Sequence, residues 1–165
     1  MKSSIVIFSL LLICMAGGCS DGKPGKLAKD AYLSLKKIEA KTETGVTYPE
    51  YVQAVGEAKY TVNIFTENKG DKDFPNNLIK FSILEVMQKY LVVGAIWSNK
   101  IQSGSSVIHA DSNLYHMIAE SCPKIKEDAM SINSWHYGFI EGDEAMKTLW
   151  KDASSDLKKI SIHFK

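Results

Sequence analysis

The polar side chains whose types best suit chemistry are His109, Asp111 and His116. Two imidazoles and a carboxylate can together bind a transition metal. Their spacing argues against this use, because two histidines on one helical face would be three or four residues apart. Asp111 also precedes an apolar pattern of helical period, where its carboxylate would accept backbone N–H groups as an N-cap. We therefore predict a solvated helix end here, with no metal and no cofactor.

A second conspicuous group is the run Trp135, His136 and Tyr137. Aromatic side chains with polar tips are enriched in protein interfaces and at bilayer surfaces. The run is therefore a candidate interaction surface. The alternative is a loop that folds over one end of the domain, with Trp135 as a packing residue.

Motifs that carry catalysis or cofactors are missing from the sequence. There is no C-x-x-C-H, no Gly-rich phosphate loop, no G-x-S-x-G, no H-E-x-x-H and no Glu-x-x-His pair. The basic side chains are all lysine, so the bidentate guanidinium that reads phosphate groups is absent. The net charge of +1 gives no overall attraction to nucleic acid or to an anionic bilayer. We predict a protein that is not an enzyme and has no nucleic-acid partner.

The first eighteen residues have the plan of a secretory signal peptide. Lys2 supplies the positive charge, an apolar run extends from Ile5 to Met15, and small residues follow it. The run is shorter than the roughly 20 apolar residues that a membrane-spanning helix needs. Cleavage of the segment is therefore expected, in preference to a permanent transmembrane anchor.

Ala16, Gly17, Gly18 and Cys19 resemble the lipobox of bacterial lipoprotein precursors. The resemblance implies cleavage after Gly18 and attachment of lipid to Cys19. It also implies export to the outer membrane, facing the periplasm, because the residue after the cysteine is Ser20 and not Asp. The first lipobox position is most often Leu and here is Ala16, so plain secretion with ordinary cleavage near Gly18 is the alternative.

These assignments divide the chain into a signal peptide (1–18), a lipidated cysteine with a short tether (19–25) and one helical domain (26–165). The six residues after Cys19 extend to at most about 20 Å, so the domain is expected to lie close to its membrane. Removal of the signal peptide leaves Cys122 without a disulfide partner inside the chain. We predict that Cys122 is a small buried residue, packed with Ile118 and Ile125.

Apolar residues at helical spacing predict an all-α domain. The first helix runs from Lys26 to Thr44 and stops at Gly45, and the second begins with a capping box of Thr47 and Glu50. The third runs from about Pro75 to about Ile101. Each of the three helices has an apolar face whose residues recur at intervals of about three or four. The faces are Leu27, Ala31, Tyr32, Leu35 and Ile38 in the first helix; Tyr51, Val55, Ala58, Val62 and Phe65 in the second; and Leu78, Phe81 or Ser82, Leu84 or Glu85, Tyr90, Val93 and Trp97 in the third.

Two further helices complete the prediction. A short one, 112–121, follows Asp111 as its N-cap, and a last one follows Asp143 as its N-cap. The face of the last helix is Met146, Leu149, Trp150, Ala153, Leu157 and Ile160. The segment from Lys124 to Gly142 has no clean period, and irregular structure or short helical turns are predicted for it. Four long helices with short connections predict an up-and-down four-helix bundle, closed at one end by the short helix and the irregular segment.

The mature part resembles small helical bacterial lipoproteins of unassigned function in three stretches, Lys29 to Tyr51, Met87 to Ile101 and Leu149 to Ile160. These stretches consist mostly of core stripes, so the resemblance implies a fold and no activity. We expect a non-enzymatic interaction or structural module that contacts the membrane through its lipid and an envelope partner of unknown kind. The alternative is a small-molecule carrier or sensor with a pocket between the helices.

Overall fold

The structure is a computed structural model that describes residues 24–67, 77–123, 125 and 138–165. The expected cleavage site at Gly18 and the lipidation site at Cys19 lie outside the described residues. The candidate surface of Trp135, His136 and Tyr137 lies outside them too.

The described residues are mostly helical, so the predicted all-α class is confirmed. The elements are α1 (Lys26–Thr44), α2 (Tyr48–Glu67), α3 (Asn77–Ser103), β1 (Val107–His109), α4 (Asn113–Ser121), β2 (Phe139–Glu141), α5 (Gly142–Ser161) and a 3-10 turn (Ile162–Phe164). In this part of the chain α1, α2, α3 and α5 are long and pack side by side, with α4 against α3, in a bundle-like arrangement.

Side-chain contacts give the directions of neighbouring helices. The α1–α2 turn is only three residues long, and Lys80 near the start of α3 donates to the Thr66 carbonyl near the end of α2. Between α3 and α5, Lys100 pairs with Asp143, and Lys89 pairs with Asp156. Neighbours in sequence thus run antiparallel. The start of α1, the end of α2, the start of α3 and the end of α5 consequently lie at one end of the domain.

Three of the predicted apolar stripes are confirmed as core. In α1 the buried residues include Ala31, Leu35 and Ile38, and all five stripe residues of α2 are buried. The stripe of α5 is buried apart from Trp150, which is half-buried against the core. Burying a large aliphatic side chain contributes about 1.5–3 kcal/mol, so these faces fix which side of each helix points inward.

The first half of the predicted α3 stripe is wrong. Leu78 and Phe81 are 71% and 61% exposed, and the buried residues are instead Ile79, Ile83, Val86 and Met87. The buried set continues in steps of three or four into Tyr90 and Val93, which the prediction had correctly. Leu84 is six residues before Tyr90, and this spacing places the two side chains on different faces of a helix. The first half of the predicted stripe therefore did not lie on the same face as its second half. Apolar residues on several faces of α3 hid this mismatch.

The predicted end of α1 at Gly45 and the predicted capping box of α2 are confirmed. The two predicted aspartate N-caps, Asp111 and Asp143, are wrong. Gly45 ends α1 with a φ of 91°, and Glu50 accepts from the backbone N–H and hydroxyl of Thr47 at 2.9 and 2.6 Å. The N-cap of α4 is Ser112, whose hydroxyl accepts from the Tyr115 N–H, and not Asp111. Asp143 lies inside the first turn of α5, where it pairs with Lys100 across the helices.

A small β-clasp joins the two chain segments that flank α4. Strands β1 and β2 pair antiparallel, with Val107 opposite Glu141 and His109 opposite Phe139. The Gly142 N–H donates to the Ser106 carbonyl at 2.8 Å, which places the start of α5 against the residue that precedes β1. Part of the segment predicted to be irregular is therefore a strand. Three residues are too short for an alternating pattern to be recognised in the sequence.

Candidate functional site

Among the described residues, Glu39 is the one charged residue that is buried, with 6% exposure. It lies on the inner face of α1, one residue after the core side chain of Ile38. Its Oε1 accepts from the Ser154 hydroxyl of α5 at 2.5 Å, and its Oε2 pairs with Lys36. The bond to Glu39 raises the pKa of Lys36 above its ordinary value. The carboxylate is thus held between α1 and α5 by two polar partners.

Two tyrosines, Tyr51 and Tyr90, are buried in the core, and the charge of Glu39 acts on the second of them. The Tyr51 hydroxyl donates to the Tyr90 backbone carbonyl at 2.8 Å, whereas the Tyr90 hydroxyl is buried and finds no hydrogen-bond partner among the residues that the structure describes. Burial raises the pKa of Tyr90, and the negative charges of Glu39 and others add to the rise. Burial also raises the pKa of Tyr51, and the nearby indole N–H of Trp150 opposes part of that rise. Both phenols are therefore neutral at physiological pH.

An open groove of about 270 Å³ lies beside Glu39, between α1 and α5. Its lining is Glu39, Thr42, Glu43, Trp150, Lys151 and Ser154. The indole N–H of Trp150 is buried and finds no acceptor in good hydrogen-bond geometry. Among the described residues, the buried side-chain polar atoms without a partner in good hydrogen-bond geometry are the Tyr90 hydroxyl and this indole nitrogen, and the indole N–H lies near the Tyr51 hydroxyl.

An aromatic cluster supports the groove from the core side. The Trp150 ring lies edge-on to Trp97 and to Tyr51, with centroids 6.1 and 6.0 Å apart. Trp97 also contacts Tyr48 and Tyr51, both at 5.7 Å. The prediction that Trp97 and Trp150 are packing residues is confirmed, since both pack against the core. Trp150 also forms part of the groove wall.

The predicted polar cluster does not assemble in the structure. His109 lies in β1 and is exposed, Asp111 is exposed in the following turn, and His116 stacks edge-on against Tyr115 with centroids 5.8 Å apart. No group of three or more metal-binding side chains occurs within the ranges that the structure describes. The solvated surface predicted at this end of α4 is what the structure has, with Ser112 as the cap in place of Asp111.

Cys122 is buried, as predicted, and lies at the end of α4. Its Sγ donates to the Asp152 carboxylate of α5 at 3.2 Å. Burial raises the pKa of the thiol, and the bond to Asp152 raises it further. A thiol that keeps its proton is a poor nucleophile, so Cys122 serves to hold α4 against α5.

Comparison of the chain with protein-family models, curated protein sequences and solved structures finds no match. Within the described part of the chain, no helix is both long and apolar enough to span a membrane.

The sequence analysis missed Glu39 as a site residue, although a signal was available. Glu39 lies four residues after Leu35 and eight after Ala31, which places it on the buried stripe of α1. A carboxylate on an apolar stripe predicts a buried polar contact. The partner of that contact, Ser154, is distant in sequence, so the groove itself could not be predicted.

Proposed function

We propose that this protein is a lipid-anchored envelope lipoprotein whose helical domain acts without catalysis, as an interaction or structural module at the periplasmic face of the outer membrane. The observation that carries the proposal is the distance between the lipobox-like Cys19 and the first helix. Helix α1 begins at Lys26, so six residues separate the two and span at most about 20 Å. A lipid on Cys19 would hold the domain against the bilayer surface.

The chemistry of the anchor supports stable attachment. One acyl chain binds a membrane marginally, while two or more chains hold a protein there durably. The resemblance to lipoprotein precursors implies several acyl chains on the new N-terminus. A domain held this way works within reach of the membrane surface, and its partner is expected to be an envelope component.

Replacing Cys19 by alanine is expected to abolish both lipid labelling and membrane attachment in a diderm host. The measurement is metabolic labelling with a fatty-acid analogue, followed by fractionation of the cells. A Cys122→Ser chain is the matched control, because it removes a cysteine that lies in the helical domain. Labelling and attachment of the control should equal those of the wild type. A wild-type protein that is unlabelled and released as a soluble periplasmic protein would contradict the proposal.

The interaction role has its own test at the membrane. Chemical crosslinking of the anchored protein in intact cells, followed by its purification, should recover a protein, peptidoglycan or lipid partner. Repeated recovery of the chain alone would count against an interaction module.

The second candidate function is the binding of a small molecule in the groove beside Glu39. It is favoured by the buried carboxylate of Glu39 and by the ring of Trp150, which both line the groove. A ligand with a hydrogen-bond donor and an apolar part would fit this pair of side chains.

Filling the groove provides the test of this second candidate. A fragment set of small amines, carboxylic acids and amides is screened by thermal shift against the wild type and against Ser154→Leu. We expect stabilising fragments for the wild type, and at least about a tenfold weaker affinity for Ser154→Leu, which corresponds to about 1.4 kcal/mol. Thr61→Leu, on the exposed side of α2, is the control. A screen without hits, or hits that bind both variants equally, would remove the groove as a site.

A further inference from the structure

The end of the domain at which α1 begins carries a set of exposed apolar side chains. We name this set the apolar collar; its members are Leu33, Ile64, Leu78, Phe81, Leu84 and Ile162. Each lies within about eight residues of the helix ends that meet there, or in the turn that follows α5. At a rise of 1.5 Å per residue, the collar lies within about 12 Å of this end of the bundle.

Charge separates this end from the opposite one. The eight residues of each long helix nearest the α1 start, with the C-terminal turn, contain six lysines (Lys26, Lys29, Lys80, Lys158, Lys159, Lys165) and three acids (Asp30, Glu67, Asp156). The matching residues at the other end, with 104–112 and 138–141, contain four lysines (Lys37, Lys41, Lys100, Lys147) and seven acids (Glu39, Glu43, Glu50, Asp111, Glu141, Asp143, Glu144).

Within the described residues, the two ends of the domain therefore carry net charges of opposite sign, which the near-neutral total charge of the chain conceals. Exposed apolar side chains occur at the acidic end as well, among them Ile101 and Phe139. Apolar exposure alone thus does not select a face. The combination of apolar and basic side chains does, because it occurs at one end and matches a bilayer with anionic headgroups.

From this combination we infer that the apolar collar docks into the surface of the phospholipid bilayer, with the surrounding lysines at the headgroups. The inference rests on the proposed lipid anchor for its geometry. The chain enters α1 at Lys26, at the collar end, so a short tether from the membrane brings this end to the bilayer first. Lysine side chains can lay their apolar stems along the collar while their ammonium groups reach the phosphates.

Docking gives the anchored domain one orientation. The collar faces the lipid, and the acidic end with α4 and the β-clasp points away from the membrane. The groove beside Glu39, whose α1 residues belong to the acidic end, then stays open to the periplasm. A bilayer that carries anionic lipids should hold this orientation more firmly than a zwitterionic one.

Cysteine accessibility tests the orientation directly. Leu78→Cys and Phe81→Cys report on the collar, and Ile101→Cys and Phe139→Cys, at similarly exposed positions, are the matched controls. All four are made with Cys122→Ser, so that the new thiol is the reactive one in the lipidated protein. The proteins are inserted into preformed vesicles of phosphatidylcholine with phosphatidylglycerol. The rate of reaction with a membrane-impermeant maleimide is then compared with that of the unlipidated chain from Ser20, whose helicity is checked first.

We expect labelling at Leu78→Cys and Phe81→Cys to slow at least about fivefold on vesicles, while the control positions change by less than about twofold. Equal rates at both ends, or protection of the acidic end, would overturn the inference. Protection that requires envelope proteins and is absent with pure lipid would overturn the bilayer as the occupant.

Failure of the anchor and failure of the collar give different results. If Cys19 carries no lipid, the proposed anchor is wrong, and the collar is tested by flotation of the unlipidated chain with the same vesicles. Leu78→Ser with Phe81→Ser should then weaken binding at least about tenfold, because two large apolar side chains leave the lipid. Ile101→Ser with Phe139→Ser should bind as the wild type does. No flotation of the wild type, or equal loss in both double variants, would overturn the docking surface.

Discussion

Raising the pH above 10 is expected to lower the free energy of unfolding by about 2.7 kcal/mol for each further pH unit. The reason is that two tyrosines are buried with their protons in the folded protein and lose them when the protein unfolds. Burial raises the pKa values of Tyr51 and Tyr90 above the ordinary value of 10.0. The unfolded chain releases both protons near that ordinary value, while the folded chain retains them. The stabilising contribution is therefore complete below pH 10 and is lost as the pH rises towards the raised values. Each proton accounts for about 1.4 kcal/mol per unit.

The measurement is urea unfolding at a series of alkaline pH values, followed by circular dichroism. Replacing both tyrosines by phenylalanine should remove most of the slope, while the contribution of the exposed lysines remains. At neutral pH the two single variants should differ. Tyr51→Phe frees the Tyr90 carbonyl and should cost about 1 kcal/mol, whereas Tyr90→Phe removes a hydroxyl without a partner and should cost nothing or stabilise. An unchanged slope in the double variant would show that other groups cause the alkaline loss.

Gly142→Ala is expected to lower the free energy of unfolding by about 2–3 kcal/mol, since the β-clasp leaves no space for a methyl group. A Cβ at this position would lie 2.7 Å from the Ser106 backbone carbonyl oxygen and 3.1 Å from Ile96 Cγ2. The same carbonyl oxygen accepts the hydrogen bond from the Gly142 N–H. Moving it away from the new methyl group would therefore weaken the hydrogen bond at the start of α5. Thermal and urea unfolding measure the loss.

Gly56→Ala is the control for this substitution. Gly56 lies inside α2, and a Cβ there would meet no atom within 4 Å. Alanine favours a helix over glycine by about 0.8–1.0 kcal/mol, so this variant should be more stable than the wild type. Two glycine-to-alanine changes in helices thus have opposite expected signs. Equal effects of the two variants would contradict the contact geometry of the clasp.

Helical period predicted most of the fold because the apolar residues at intervals of three or four in α1, α2 and α5 coincide with the buried face of each helix. The prediction failed on α3, where apolar residues such as Leu78 and Ile83 lie on different faces and two phases compete. Packing against several neighbouring helices selects the phase, and packing partners are not visible in one sequence. The prediction of the N-cap of α4 was wrong for a similar reason. Asp111 and Ser112 are both acceptable N-caps, and backbone geometry decided between them.

The candidate site and the charged ends depend on distant parts of the chain. Glu39 could have been noticed on its stripe, yet its contact with Ser154 arises from the packing of α1 on α5. The collar likewise combines residues from four elements, of which Leu33 and Ile162 lie far apart in sequence. The net charge of the whole chain averaged over both ends, so it could not indicate a basic face. The fold shows which end of the domain holds the start of α1, and therefore which end the proposed tether would bring to a membrane.

The β-clasp has a consequence for how much variation this protein can tolerate. The Ala110 N–H donates to the Gly138 carbonyl at 2.9 Å, so the chain leaves the bundle and returns to it at one hydrogen-bonded point. Tyr115, Ile118, Cys122 and Ile125 hold the first part of the excursion in the core. The two ends of the excursion are thus held by the β1–β2 pairing and by the bond between Ala110 and Gly138. Sequence changes at these clasp residues should therefore be tolerated less than changes at exposed positions of α4 such as His116 and Glu120.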